Sequence, residues 1–221
     1  MSIQVKICGI TSADAADATV RAGADIAGLM FHEKSPRHVV PALASSLADR
    51  MRGRIRIAVV MVDPVDEVLG GIVRSLKPDF VQLHGRETPA RVAAIRSAFG
   101  VGVIKVISVA EAADFADVAR YEAVADMLMF DAKPPPGASR EGGHGAAFDW
   151  QIMNGRKFAR PWLLAGGLNA DNVARAIRLT EAPGVDVSSG VETAPGVKSP
   201  ELIAQFTAAA KAARYATETR A

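Results

Sequence analysis

The 221 residues carry 26 Lys plus Arg against 24 Asp plus Glu, a net charge of +2 that lacks the basic surplus needed to bind a phosphate backbone, so nucleic acid is not expected as a partner. Hydrophobic residues at 49% and charged residues at 23% exclude a disordered or collagen-like chain. The single cysteine, Cys8, excludes an internal disulfide and any paired-cysteine zinc site, which fits a reducing cytoplasm.

The N-terminal MSIQVKICGITSADAAD has no basic region leading into a long apolar run. No later stretch reaches the ~18 uninterrupted apolar residues of a membrane span. A cytoplasmic chain that neither spans a membrane nor is exported by such a signal is expected. Short Val-, Ile-, Leu- and Met-rich runs then recur along the chain, each followed by an alanine-rich segment of helical period. In order they are VKICGI at 5–10, IAGLMF at 26–31, IRIAVVMV at 55–62, FVQLHG at 80–85, VIKVISV at 103–109, MLMFDA at 127–132, WLLAGG at 162–167 and VDVSSGV at 185–191. Ser12 or Asp14 is suited to cap the first helix, Pro64 to open the third after Asp63, and Asn169 or Asp171 to start the one after strand seven.

Strand–helix alternation implies parallel pairing through right-handed crossovers, and runs apolar on both faces agree. Eight units averaging ~28 residues match an α/β fold of one closed (β/α)8 TIM barrel spanning 1–221. An open doubly wound sheet is the runner-up, but ICGITSADA lacks its glycine-rich phosphate turn. The rhythm breaks at 133–150, KPPPGASREGGHGAAFDW, where prolines and glycines forbid regular structure. Following a barrel strand, 133–147 reads as a mobile lid at the catalytic end, or else as a tolerated insertion.

Side chains two apart on a strand share a face, so Lys6 goes with Cys8, Gln82 with His84, and Asp186 with Ser188. Cys8 reads as a small buried hydrophobe or as a base, the second because Lys6 beside it would favour the thiolate. Asp186, on a strand adjacent to the first after closure, is the competitor for Lys6. Asp131 is either a loop cap or a general acid, since desolvation beneath a lid favours the protonated carboxyl. Arg37, set by Pro36, is a planar fork for a carboxylate unless it is a solvated surface arginine. His84 is a substrate contact or a structural histidine. Gly166 and Gly167, with Ser189 and Gly190, occupy the loops after strands seven and eight, where this architecture repeatedly binds phosphate.

KICGIT at 6–11, SPRHV at 35–39, VQLHG at 81–85, FDA at 130–132, LAGGLNADNV at 164–173 and DVSSGVE at 186–192 occur in that order, and with them the chain resembles the phosphoribosylanthranilate isomerase family. The resemblance implies a cofactor-free, metal-free Amadori rearrangement of a small phosphosugar in tryptophan biosynthesis. It makes Cys8 the general base, Asp131 the general acid and Arg37 the holder of the anthranilate carboxylate. Asp186 and His84 would touch the sugar or orient the reacting groups, and the glycine loops would hold the phosphate. One departure is GGHG before FDW, with His144 where the family often has threonine. A dual-substrate sugar isomerase and a phosphate-binding barrel without catalysis are the competing readings, and the sequence gives no oligomeric assignment.

Overall fold

A computed structural model describes residues 2–133 and 149–213. The expected lid therefore lies, apart from Lys133, outside the described residues, and so does His144. Eight parallel strands close into one barrel in sequential order: β1 (Gln4–Cys8), β2 (Ile26–Met30), β3 (Arg56–Met61), β4 (Phe80–Leu83), β5 (Gly102–Val109), β6 (Met127–Ala132), β7 (Trp162–Leu164) and β8 (Gly184–Val187). Closure joins β8 to β1, with Lys6 opposite Asp186 and Ile7 opposite Val187. The expected (β/α)8 barrel is the observed one, and the open sheet is excluded.

Helices α1 (Ala13–Arg21), α2 (Pro41–Met51), α3 (Asp66–Leu76), α4 (Pro89–Phe99) and α5 (Val118–Glu122) follow the first five strands. Helix α6 (Val173–Thr180) follows β7, and α7 (Pro200–Ala212) follows β8. After β6 the described residues contain a 3₁₀ turn at Trp150–Met153 and no α-helix before β7. Ser12 caps α1 by accepting the Ala15 N–H, as its spacing predicts. The third helix departs from expectation. It starts at Asp66 rather than Pro64, because Asp63 adopts φ +44° and its carboxylate accepts the Arg86 N–H instead of capping. Asn169 likewise builds a turn, accepting the Asp171 and Asn172 N–H groups, so α6 begins only at Val173.

The alternation of β-strands separates two cores. Ile26, Ala58, Ile104, Val106, Met127, Met129, Leu163 and Ala165 fill the barrel interior. The intervening strand residues pack outward against the helices. The N-terminal end of the barrel is fastened by a repeated device. Asp25, Asp79 and Asp126, each just before an even-numbered strand, accept the N–H of Val5, Ile57 and Val103 on the preceding strand at 2.8, 2.7 and 2.9 Å. These N–H groups lie at the sheet end, where they would otherwise be short of partners. That end serves stability and leaves the opposite end to chemistry. Among the described residues no helix is long and apolar enough to cross a membrane.

Candidate active site

Register fixes which side chains point inward. Lys6 lies opposite Ile26 and Cys8 opposite Gly28, and because Ile26 belongs to the interior, so do Lys6 and Cys8. The same parity carries Gln82 opposite Ile104, and Asp131 two residues beyond interior Met129. Cys8 closes β1, Asp131 is next to last in β6, and His84 follows β4 directly, so all three sit at the C-terminal rim. Gly28 is there for room: a Cβ on it would lie 3.0 Å from Cys8 Sγ and 3.2 Å from Lys6 Nζ.

The competition for Lys6 is settled by distance. Lys6 Nζ donates to Asp186 Oδ1 at 2.7 Å, with the lysine side chain fully buried. Burial works against the ammonium, but Asp186, and secondarily Cys8, hold the Lys6 pKa above the ordinary lysine value. The thiol moves opposite to the direction expected from Lys6 alone. Burial pushes the Cys8 pKa up, Lys6 and Lys198 pull it down, Asp186 raises it, and the net shift is upward. For Cys8, burial together with Asp186 outweighs the two lysines.

Asp131 is only 8% exposed. Its Oδ1 accepts the Ala132 N–H at 2.9 Å, while its Oδ2 lies 3.3 Å from His84 Nε2. The second contact is close but misaligned, since His84 Nε2 has no hydrogen-bond partner among the described residues. Gln82 Nε2 approaches the other ring nitrogen, Nδ1, at 3.4 Å. His84 therefore borders Asp131. Gly166 (φ +88°) is required twice over: its backbone is left-handed, and a Cβ there would come within 3.1 Å of Asp131 Oδ1 and 2.7 Å of Ala132 N.

The loops after β7 and β8 meet. A Cβ on Gly190 would stand 1.9 Å from the Leu168 carbonyl oxygen, so the Ser189–Val191 3₁₀ turn lies directly on the loop containing Gly166 and Gly167. Among the described residues the N–H groups of Gly166, Gly167, Ser189 and Gly190 donate to no carbonyl, which leaves four donors for an anion. Gly190→Ala is expected to force the two loops apart, costing about 1–3 kcal/mol of stability and raising KM for a phosphorylated substrate. An unchanged melting curve and KM would show that the loops are not in contact.

Arg37 is 4% exposed, which removes the solvated-surface alternative. Its stem rests on Gly9, where a Cβ would lie 2.6 Å from Arg37 Cδ. Nε and Nη2 donate to the two Glu192 carboxylate oxygens at 2.7 and 2.8 Å. Burial opposes the charge, but Glu192 holds the Arg37 pKa above the usual arginine value. Lys198 completes the group, donating to Glu192 Oε1 at 2.6 Å and to the Ser188 carbonyl at 3.0 Å. Sequence reasoning assigned no role to Glu192 or Lys198. Glu192 stood inside DVSSGVE, but nothing in one sequence pairs it with an arginine 155 positions earlier.

The chain matches the family model described as N-(5'-phosphoribosyl)anthranilate (PRA) isomerase over residues 5–209. It is 51% identical, over 97% of its length and 98% of the relative's, to an N-(5'-phosphoribosyl)anthranilate isomerase of Rhodopseudomonas palustris strain BisB18. It is 52% identical, over 96% and 100%, to one from Rhodospirillum centenum. The fold superposes on the crystal structure of phosphoribosyl anthranilate isomerase from Thermotoga maritima with a TM-score of 0.85 and 33% identity, covering 95% of this chain and 99% of that one. A second crystal structure, of a phosphoribosyl anthranilate isomerase holding reduced 1-(o-carboxyphenylamino)-1-deoxyribulose 5-phosphate, matches at TM-score 0.81 and 30% identity, covering 95% and 99%. With the family model covering both rim loops and every one of the site residues above, the chain belongs to the N-(5'-phosphoribosyl)anthranilate isomerase family.

Proposed function

We propose that this chain performs its family's reaction, the Amadori rearrangement of N-(5-phosphoribosyl)anthranilate to 1-(2-carboxyphenylamino)-1-deoxyribulose 5-phosphate in tryptophan biosynthesis, with Asp131 as general acid and Cys8 as general base. The observation that carries it is the placing of a buried carboxyl and a buried thiol at the C-terminal rim of one closed barrel, beside two loops with free N–H donors. Asp131 gives its proton to the furanose ring oxygen as the C1–O bond breaks and the anilino nitrogen forms a protonated imine. The Cys8 thiolate takes the C2 hydrogen, and that electron pair becomes the C1=C2 bond while the imine pair returns to nitrogen. The enolamine then ketonises as the C2 hydroxyl loses its proton and C1 gains one.

The upward-shifted thiol fits this order of events. A protonated imine is a cation formed next to Cys8, and its field adds to those of Lys6 and Lys198, favouring the thiolate at the step that needs it. Gly166, Gly167, Ser189 and Gly190 supply the phosphate N–H groups, and Asp186 reaches the sugar only past its bond to Lys6. Arg37 offers its remaining N–H groups to the anthranilate carboxylate. A cytoplasmic location accords with a lone, unpaired cysteine.

Turnover of synthetic phosphoribosylanthranilate, with solvent deuterium appearing at product C1, is the direct test. Arg37→Ala should raise KM by about tenfold or more with a smaller change in kcat, since a charge-assisted contact contributes ~1.5–3 kcal/mol. Unchanged KM and kcat would remove Arg37 from substrate binding.

A further inference from the structure

Beyond β8 the chain makes a small hairpin, β9 (Glu192–Ala194) and β10 (Val197–Lys198), in which Lys198 is the cross-strand partner of Glu192. This hairpin is tied into the rim at three points. Thr11 Oγ1 donates to the Gly196 carbonyl at 2.7 Å, Gly196 packs so closely on Pro36 that a Cβ would lie 2.5 Å from its carbonyl oxygen, and Lys198 holds the Ser188 carbonyl. Its two charged side chains point into the protein, at 4% and 0% exposure. A surface hairpin has no need of a buried ion pair, and such a pair costs more in desolvation than an exposed one.

What the pair touches is Arg37. Glu192 takes the Nε–Nη2 edge of the guanidinium with both oxygens, a geometry that fixes the plane and roll of the fork. Among the described residues Nη1 donates to nothing, so the bound edge determines which edge faces the pocket. The charges also leave a remainder. Arg37 and Lys198 against Glu192 make two cations and one carboxylate, a buried surplus of one positive charge that a single anionic group would complete. Lys6 does not add to it, being matched by Asp186.

Resting on the reading of Arg37 as the carboxylate clamp, we infer that the Glu192–Lys198 hairpin pair is the positioning device that gives this site its selectivity for a carboxylated aromatic ring. Glu192 orients the guanidinium, and Lys198 keeps Glu192 from neutralising it. Neither residue touches the reacting atoms, and because the Lys198 charge also acts on the Cys8 thiol, the pair's part in recognition is read from ligand binding and not from turnover.

The test uses two ligands in calorimetric titrations of the full chain: reduced 1-(o-carboxyphenylamino)-1-deoxyribulose 5-phosphate, and its phenylamino counterpart without the carboxylate. The native protein is expected to prefer the first by about tenfold or more. Glu192→Gln should collapse that preference while leaving affinity for the second ligand unchanged. The paired change Glu192→Gln with Lys198→Met keeps the single positive surplus and should collapse it equally, and it decides the matter if Glu192→Gln alone does not fold. Adding Glu192→Gln to Arg37→Ala should change the preference no further. Retained preference in the Glu192 variants, or equal weakening of both ligands, overturns the inference while Arg37→Ala still abolishes the preference. Retained preference in Arg37→Ala sinks the clamp itself, and the hairpin's role with it.

Discussion

Asp131→Asn is expected to lower kcat by about 10²–10⁴ with little change in the melting temperature, the range typical of losing a positioned general acid. The substitution is close to isosteric. An asparagine Oδ1 can still accept the Ala132 N–H that now holds Asp131 at 2.9 Å, so the side chain keeps its place against Gly166 and His84. Only the transferable proton goes. The Ala132 N–H on Oδ1 is the one hydrogen bond that a carboxylate left at Asp131 keeps among the described residues, the His84 ring standing 3.3 Å from Oδ2 without one. A loss in kcat without a matching rise in KM separates proton transfer from binding. If steady-state kinetics of Asp131→Asn stay within about threefold of the native protein, far below the usual loss for an acid, Asp131 is not the proton donor.

The barrel was legible because its information is local. Eight apolar runs at regular spacing, strand parity and the rim position of Cys8 and Asp131 all follow from period and order. The pairing of Lys6 with Asp186 was legible as a competition, since closure makes β1 and β8 neighbours, but its outcome depends on a 2.7 Å distance that spacing does not set. The helix starts were misplaced at Pro64 and Asn169 for one reason. A residue able to cap a helix is equally able to build a turn, and Asp63 and Asn169 spend their side chains on loop N–H groups. The aspartate fasteners at 25, 79 and 126 give no signal in the sequence beyond each standing just before an even-numbered strand, since their N–H partners lie on another strand. Glu192 and Lys198 were illegible, because a hairpin of five strand residues between β8 and α7 gives no periodic signal and their partner is distant in sequence.

Cys8→Ala should also cut kcat by about two orders of magnitude or more, and the reason can be separated from packing. Cys8 is 5% exposed and lies against Gly28, so alanine leaves a small void costing about 1 kcal/mol, too little to unfold the barrel. A purely structural cysteine would therefore give a slightly less stable protein of near-native activity. Loss of a base gives a stable protein that cannot remove the C2 hydrogen, so the enolamine does not form and little product appears. The pH dependence adds a sign. Burial raises the pKa of the free-enzyme thiol above the ordinary cysteine range, against the pull of Lys6 and Lys198, so kcat/KM should still be rising with pH through the neutral range. Lys198→Met removes one of the two cations and should move that limb to higher pH, whereas an Asp186→Asn change removes an anion that opposes ionisation and should move it lower. A kcat/KM profile that falls across the same range, or that does not shift in opposite directions in these two variants, would mean that the group losing its proton is not Cys8.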